Sequence, residues 1–371
     1  MNSGPLTGLR VLDASTLYAG PLLAALLADH GADVVTVEPP GGHPFRATRF
    51  WPLTARGKRS VTIDADADDP GSRARLHGLV AAADVVVVNE PAARLARRGL
   101  DPPTLLTVHP ALVVAQVSAY GADGPYADRA GNGTLAEAFT GFTDATRGPE
   151  GTPVLPGVLL GDSVMAWAGA FGVLAAVHAV RSGAAPGRVV DVNPVDAMLH
   201  VVGAPVTDSP AARSAGTRLP GVALRGVFAT ADGRWVALSV LTERQRSTLA
   251  DLAGAPGAEG TALESAVTDW ISHLPGDEVI RRAVAARLPA APVNDADDAA
   301  GDPHLVARGA FGNARTPDGR DVLIPTPAPR TTERRPPGRR RCQARASTPQ
   351  RCWRSGPRGA PDQAWRPRQA N

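Results

Sequence analysis

The sequence predicts an α/β fold, in which a large domain with a Rossmann-like parallel sheet is followed by a smaller α+β domain. Short runs rich in valine alternate with helical segments through the first third of the chain. These runs are continuously apolar, which is typical of strands covered on both faces. Further along, a hairpin pattern follows a stretch rich in Gly, Pro, Ser and Thr. A length of 371 residues suits one large domain and a smaller one.

The predicted elements follow one another along the chain. Strands are predicted at Leu9–Ala14, Asp33–Glu38, Ser60–Asp64, Asp84–Asn89, Leu112–Ser118 and Arg188–Val192. Helices are predicted at Pro21–His30, Ser72–Ala82, Asp162–Arg181 and Asn193–Val202. After a linker at Gly203–Gly221, we predict a hairpin at Gly226–Val240 and helices at Glu243–Ala253, Ala262–Ser272 and Asp277–Arg287. The predicted domains are 1–205, 206–311 and a C-terminal segment 312–371.

Charge is concentrated in the C-terminal segment. From Arg330 to Asn371 twelve arginines stand against two acids, so the rest of the chain is net acidic although the total is +3. This distribution, with only 4 % aromatic residues, disfavours a nucleic-acid interface. After about Pro325 the sequence loses its apolar periodicity, and two interpretations stay open. The segment is either a disordered basic tail, from about residue 326, or the product of a reading-frame change.

Cysteine usage and hydropathy indicate a cytoplasmic protein. Cys342 and Cys352 both lie in the tail, so the body has no disulfide framework and no cysteine metal site. The N-terminus lacks a signal-peptide pattern. The most apolar stretch, Val164–Val180, is shorter than a membrane span, and we predict a buried helix with His178 in the core. We therefore expect no membrane association, and no metal or redox cofactor.

The first βαβ unit does not fit a dinucleotide site. Glu38 stands where an acidic residue would bind a ribose, but the loop Ser15–Pro21 holds one glycine where the GxGxxG pattern needs three. The bulky pair Leu17 and Tyr18 would also keep a pyrophosphate from the backbone. A nicotinamide or flavin enzyme is therefore disfavoured.

A collinear series of motifs resembles the class III CoA-transferase family, which includes formyl-CoA transferases, carnitine CoA-transferases and α-methylacyl-CoA racemases. The series starts with LRVLD, AGP, LLADHGADVVTVEPPGG and GKRSVTID, and continues through ADVVVVN and RRGLD. It then runs through SAYGADGPYADRAG, GVLLGDSV and TADGRWVAL to PAAPVNDADDAAGDPHLVARGAF. The resemblance covers roughly residues 5–312. It implies an interlocked homodimer that acts on an acyl-CoA and a small carboxylic acid.

Asp162 is the predicted catalytic residue. Taken alone, an Asp at the start of a long apolar helix is an ordinary N-cap. The resemblance places it at the family's nucleophilic aspartate, and the two interpretations are compatible because a helix N-terminus also stabilises a carboxylate or an oxyanion. Attack of Asp162 on an acyl-CoA would give a mixed anhydride and free CoA thiolate. The predicted function is therefore CoA transfer between an acyl-CoA and a carboxylic acid.

The resemblance also implies the residues around coenzyme A. Lys58 and Arg59 could hold phosphates, and the alternative for both is a solvated turn. The alternative for Arg97 is a surface position on a helix. Tyr120 could stack or donate to the thioester region, and its alternative is simple packing. The substrate pocket is predicted to include Asn132 and Gly161. The implied CoA-binding residues are Leu17, Tyr18, Ala19, Lys58, Arg59, Asn89, Arg97 and Tyr120.

Two departures from the family pattern bear on activity. Asn132 stands where family members usually carry Tyr or His, and a racemase needs a base on each face of the substrate α-carbon. The usual N-x-R-P-G is replaced by the residues 89–93, NEPAA, which alters the CoA contacts. The alternatives to a transferase are therefore a racemase-like enzyme, which Asn132 disfavours, and a catalytically inactive CoA-binding or scaffold homologue.

Overall fold

The valine runs form a parallel sheet, as predicted. The computed structural model describes residues 4–66, 69–148, 150–203, 223–316 and 318–330, and the backbone of 340–341 and 345–346. The six main strands are β1 (Arg10–Asp13), β2 (Asp33–Glu38), β3 (Arg59–Thr62), β4 (Val85–Val88), β5 (Val113–Val117) and β6 (Arg188–Val192). They lie in the order β3-β2-β1-β4-β5-β6, and a two-residue strand, Arg345–Ala346, pairs in parallel with β3. This order is that of the Rossmann fold.

Helices connect these strands. They are α1 (Ala19–Asp29), α2 (Trp51–Ala55), α3 (Pro70–Ala81), α4 (Ala92–Arg98), α5 (Pro102–Val108), α6 (Gly133–Phe139), α7 (Phe142–Ala145), α8 (Leu160–Arg181) and α9 (Pro194–Val202). A 3₁₀ turn covers Pro44–Ala47. Several helices start where an Asp or Asn side chain accepts a backbone N–H of the first turn. These caps are Asp69 for α3, Asp101 for α5, Asn132 for α6 and Asn193 for α9.

The strand β4 shows why its sequence is uniformly apolar. Successive side chains of a strand point to opposite faces of the sheet. Val85 and Val87 belong to a core that includes α1 and α8, whereas Val86 and Val88 belong to a second core that includes α3, α4 and α5. All four valines are fully buried. Helices on both faces therefore require apolar residues at every position of this strand.

Helix α8 differs in two respects from its prediction. It spans 22 residues, so by length and composition it could cross a membrane, with a mean hydropathy of 1.7 in its most apolar window. One side is part of the first core, where Met165, Gly169 and Val173 are buried. Its other side carries the exposed Phe171 and His178. The prediction that His178 lies in the core is therefore wrong. The helix also begins at Leu160, earlier than in the predicted range Asp162–Arg181.

The chain divides into two compact units, one of Met1–Val206 with Gly309–Asn371 and one of Thr207–Arg308. The predicted hairpin is present in the second unit as β7 (Leu224–Ala229) and β8 (Trp235–Val240), which pair antiparallel, and β9 (Ala290–Pro292) joins β8. A separate core forms between this sheet and its helices. The helices are α10 (Glu243–Leu252), α11 (Gly260–Ser272), α12 (Gly276–Ala285), α13 (Ala296–Gly301) and α14 (Pro303–Ala307). Most of the predicted linker lies outside the described residues.

A second hairpin was not predicted. Strands β10 (Phe311–Arg315) and β11 (Asp321–Pro325) pair antiparallel and belong to the first unit. One residue on each strand, Ala314 and Ile324, is buried, and the other positions are half-buried or exposed, which weakens the periodicity in the sequence. The predicted tail lies mostly outside the described residues and stays a prediction.

Candidate active site

The strand order reverses between β1 and β4, which are direct neighbours. In open α/β sheets this reversal opens a crevice at the carboxyl ends of the strands, where ligands bind. The loop Ala14–Tyr18 follows β1, Asn89 follows β4, and Tyr120 lies in the loop after β5. The topology thus brings three of the predicted CoA-contact regions to one edge of the sheet.

Asn89 holds the loop after β1 in place. Its Oδ1 accepts the Thr16 backbone N–H at 2.8 Å, and its Nδ2 donates to the Thr16 carbonyl at 2.7 Å. The next residue, Leu17, has a φ of 65° and is 56 % exposed. A left-handed conformation is costly for a leucine, and such strain is concentrated at functional sites. Asn89 therefore supports a strained, exposed loop at the mouth of the crevice.

Tyr18 and Ala19 lead from this loop into α1. Ala19 is buried, and the Tyr18 ring packs edge-on against Phe50. The Tyr18 hydroxyl lies 3.5 Å from the Ser163 Oγ, beside Asp162 in the sequence. The structure therefore brings the predicted CoA-binding loop next to the first turn of α8.

Asp162 is not the N-cap of α8, contrary to one interpretation of the sequence. The cap is Leu159, whose side chain makes no capping bond, and Asp162 is the third residue of the helix. Its Oδ1 accepts the backbone N–H of Gly133, the first residue of α6, at 3.2 Å. The carboxylate therefore lies at the N-termini of two helices, α8 and α6, where both dipoles favour negative charge.

Three effects act on the pKa of Asp162. Burial raises the pKa of Asp162 most, and the charge of Glu137 raises it further, while the Gly133 hydrogen bond lowers it. The net shift is upward. A carboxylate with a raised pKa is more basic, which favours attack on a carbonyl carbon.

The two predicted pocket residues lie at the starts of α6 and α8. Gly161 is buried, and its backbone N–H donates to Glu137 Oε1 at 2.8 Å. Asn132 is exposed, and its Oδ1 accepts the Leu135 N–H at 3.3 Å as the cap of α6. Glu137 was not predicted as a site residue from the sequence. An acid between alanines of a short apolar helix, in LAEAF, was the signal that could have identified it.

Tyr120 belongs to an aromatic cluster on the rim of the crevice. Its ring contacts those of Tyr126 and Phe139, with centroids 5.8–6.0 Å apart. The Arg129 guanidinium stacks 3.5 Å above the Tyr126 ring. Tyr120 is half-buried and Phe139 is 57 % exposed, so the cluster offers an aromatic surface to solvent.

Lys58 is buried and not in a solvated turn, so that alternative is wrong. Its Nζ donates to Asp13 Oδ2 at 2.7 Å and to the Pro21 carbonyl at 2.6 Å. Burial lowers the pKa of Lys58, and the Asp13 charge opposes this. Arg59 begins β3 and donates to Asp33 Oδ1, at the amino-end edge of the sheet. Neither cation is presented to the crevice in this conformation, and their phosphate contacts stay predictions.

Arg97 is the cation among the predicted CoA-binding residues that the structure leaves accessible. It lies on the exposed face of α4, and its one hydrogen bond among the described residues is a long one, 3.5 Å, to the Ala93 carbonyl. Neighbouring Arg98 and Arg94 are instead paired with Asp66 and Glu90. A guanidinium after β4 with no ion-pair partner in the described part of the chain suits an anionic ligand.

Comparisons with known proteins cover almost the whole chain. The sequence model of CoA-transferase family III matches residues 6–344. The chain belongs to this family. The predicted family membership is confirmed, and the chain is a CoA-transferase, an enzyme that acts on CoA thioesters.

Similar proteins agree with this membership. The succinyl-CoA–L-malate CoA-transferase alpha subunit of Chloroflexus aurantiacus is 32 % identical, over 90 % of this chain and 84 % of the relative. The succinate–glutarate CoA-transferase of Agrobacterium fabrum is 29 % identical, over 86 % and 87 %. A crystal structure of a CaiB/BaiF family protein from Brucella suis has a TM-score of 0.76 at 24 % identity, and the match covers 90 % of this chain and 94 % of that one. The family III fold is thus shown independently of the sequence motifs.

Proposed function

We propose that this family III enzyme moves CoA between an acyl-CoA and a carboxylic acid through an acyl anhydride on Asp162. The observation that carries the proposal is the position of this carboxylate. It lies in the first turn of α8, accepts a hydrogen bond from the Gly133 N–H, and has a raised pKa. A carboxylate is a weak nucleophile in water, so a basic, oriented and partly buried one is what this chemistry requires.

The steps balance without another reactant. An Asp162 carboxylate oxygen attacks the thioester carbonyl, the C–S bond breaks, and the electron pair leaves with the CoA thiolate. The thiolate attacks the Asp162 carbonyl carbon, which releases the donor acid as its carboxylate and forms an aspartyl-CoA thioester. The acceptor carboxylate then attacks this thioester, giving a second anhydride and the thiolate. Attack of the thiolate on the acceptor carbonyl yields the new acyl-CoA and restores Asp162.

We propose succinyl-CoA as the donor and a small dicarboxylic acid as the acceptor. The support comes from relatives about 30 % identical, which are named for succinyl-CoA with malate and for succinate with glutarate. The Leu17 loop and Arg97 are the elements we expect to hold the CoA moiety. Racemisation is disfavoured because Asn132, an amide that caps α6, is not a base at neutral pH.

We also propose that the enzyme is a homodimer. Exposed apolar side chains occupy the outer side of α8, where Trp167 is 44 % and Phe171 is 76 % exposed. Leu199 and Val201 on α9, which packs against α8, are also exposed. Apolar surfaces of this kind are rarely left to water. Light scattering should give the mass of two chains, and Phe171→Arg should reduce it to one.

A trapping experiment tests the transfer mechanism. The protein is incubated with succinyl-CoA, treated with hydroxylamine, and digested for mass spectrometry. We expect a hydroxamate on Asp162 and none in the Asp162→Asn variant, with the exposed Asp128→Asn as a matched control that still reacts. Binding of CoA with no modification of Asp162, across a series of acyl-CoA donors, would instead identify an inactive CoA-binding homologue. Deuterium exchange at the substrate α-carbon would identify a racemase.

A further inference from the structure

Glu137 is a buried acid that the transfer mechanism above does not use. It lies on α6 and is 1 % exposed, and its Oε1 accepts the Gly161 N–H at 2.8 Å. The first N–H groups of a helix have no partner within the helix. Leu159 cannot cap α8, so the side chain of Glu137 supplies the acceptor from a neighbouring helix. The hydrogen bond fixes the backbone of the residue directly before Asp162.

We propose that Glu137 is a positioning residue for the nucleophile, which fixes the first turn of α8 and places a second negative charge near Asp162. The inference rests on the proposed function of Asp162. It also explains why an acid is kept in a buried position at the junction of α6 and α8, where an apolar residue would cost less desolvation.

The charge of Glu137 acts on the free nucleophile and not on the acylated one. Two neighbouring carboxylates repel each other, which destabilises the ionised ground state of Asp162. Acylation turns Asp162 into a neutral anhydride and relieves the repulsion. The repulsion raises the free energy of the ionised Asp162 but not that of the anhydride, so it lowers the barrier to acylation. The direction of the Asp162 pKa shift agrees with this arrangement.

Other charged groups do not substitute for Glu137. Among the described residues, the hydrogen bond to Asp162 comes from the Gly133 backbone, and Glu137 is the charged group that shifts the Asp162 pKa. Asp29 on α1 is paired with Arg56. The remaining titratable groups on α8 and on the elements packed against it are Tyr18, His178, Arg181, Arg188, Asp191, Asp196 and His200.

The variant Glu137→Gln separates charge from hydrogen bonding. Glutamine keeps the volume and an oxygen that accepts the Gly161 N–H, but removes the charge. At neutral pH we expect a Tm no lower than that of the wild type, because the buried charge and its repulsion of Asp162 are removed. We also expect a lower titration midpoint for Asp162 and an acylation rate by succinyl-CoA that falls about tenfold. The matched control is Glu150→Gln, since Glu150 is exposed. The titration is followed by 13C NMR of protein labelled at the Asp carboxyl carbons, with Asp162→Asn to assign the signal.

The variant Glu137→Asp tests the other half of the proposal. The shorter side chain keeps the charge but withdraws it from the Gly161 N–H. We expect the midpoint of Asp162 to stay raised, while the Gly161 amide exchanges hydrogen faster and acylation slows. The positioning role would be contradicted if the Gly161 amide hydrogen exchanged at the wild-type rate and the acylation rate were also unchanged.

Three results would overturn the proposal or separate it from the proposed function. Glu137→Gln could have the same Asp162 titration midpoint and the same acylation rate as the wild type. That result would show that Glu137 is only a helix cap. A Glu137→Gln protein that does not fold would show that the charge serves the fold, which also overturns the proposal. If wild-type Asp162 is never acylated, the proposed function fails, while the NMR midpoints still decide whether Glu137 acts on Asp162.

Discussion

Gly133 and Gly161 lie backbone against backbone at the N-termini of α6 and α8. A Cβ added to Gly161 would lie 2.5 Å from the Gly133 carbonyl oxygen, and one added to Gly133 would lie 2.8 Å from Asp162 Cγ. Real Cβ atoms do not approach other atoms this closely, so only glycine fits at either position without a displacement of the backbone. This contact brings the Gly133 N–H within reach of the Asp162 carboxylate.

The first prediction concerns Gly133→Ala. The added methyl group must push α6 away from α8, so the free energy of unfolding should fall by about 1–3 kcal/mol. The Asp162 hydrogen bond should be lost with it, and the acylation rate should fall at least about tenfold. Chemical denaturation and single-turnover acylation measure the two effects. Gly157→Ala is the control because its Cβ meets open space; equal behaviour of the two variants would contradict the prediction.

The second prediction concerns the pH dependence of stability. Because the folded-state pKa of Asp162 is raised, folding is opposed when the group ionises, and stability is lost as the pH rises through that pKa. Below the ordinary range of an Asp carboxyl, near about 3.9, both states are protonated and the cost disappears. Asp162→Asn removes the cost and keeps an oxygen for the Gly133 N–H.

Asp162→Asn should therefore have a higher Tm than the wild type at neutral pH, with a difference that shrinks as the pH is lowered toward 4. Thermal unfolding across this range measures it. A variant less stable than the wild type at neutral pH, or a difference that grows on acidification, would contradict the sign of the shift. The inactive variant is thus expected to be the more stable protein.

The third prediction compares Lys58→Met with Arg97→Met. Lys58 is almost fully buried with Asp13, so removing it leaves a buried, unpaired carboxylate and should cost about 3–5 kcal/mol of stability. Arg97 is exposed, so Arg97→Met should keep the stability within about 0.5 kcal/mol. If Arg97 holds a CoA phosphate, its loss should raise the KM for acyl-CoA about tenfold.

Denaturation curves and steady-state kinetics on both proteins distinguish a structural role from a ligand-binding role for each cation. Lys58→Met with normal stability and weaker CoA binding would show that Lys58 leaves Asp13 to bind a phosphate. That result would restore the sequence-based prediction for Lys58.

The fourth prediction concerns Asn89→Ala. Both hydrogen bonds to the Thr16 backbone are lost, which should lower the free energy of unfolding by about 1–3 kcal/mol. Since the change loosens the Leu17 loop and not the first turn of α8, the KM for acyl-CoA should rise more than kcat falls. Asn89→Asp keeps the acceptor but loses the donor, so an intermediate effect is expected. A fall in kcat alone would show that the loop positions Asp162.

The order of elements in the first unit could be predicted because local pattern and tertiary environment agree there. The Asp33–Glu38 and Arg188–Val192 strands match their predicted bounds. The hairpin of β10 and β11 could not be predicted, since few of its positions are buried. The first residues of α8 were missed because the acceptor for Gly161 comes from Glu137, 24 residues away in sequence.

By itself the sequence determined that the chain is an α/β protein, that it resembles class III CoA-transferases, and that Asp162 is the residue to test. These follow from periodicity and from collinear motifs, which are local properties of the chain. Only the tertiary structure decided that Lys58 is paired in the interior, that Asp162 accepts the Gly133 N–H, and that Glu137 accepts the N–H of the neighbouring Gly161. Each depends on residues distant in sequence, whose burial and electrostatic interactions arise only when the elements pack together.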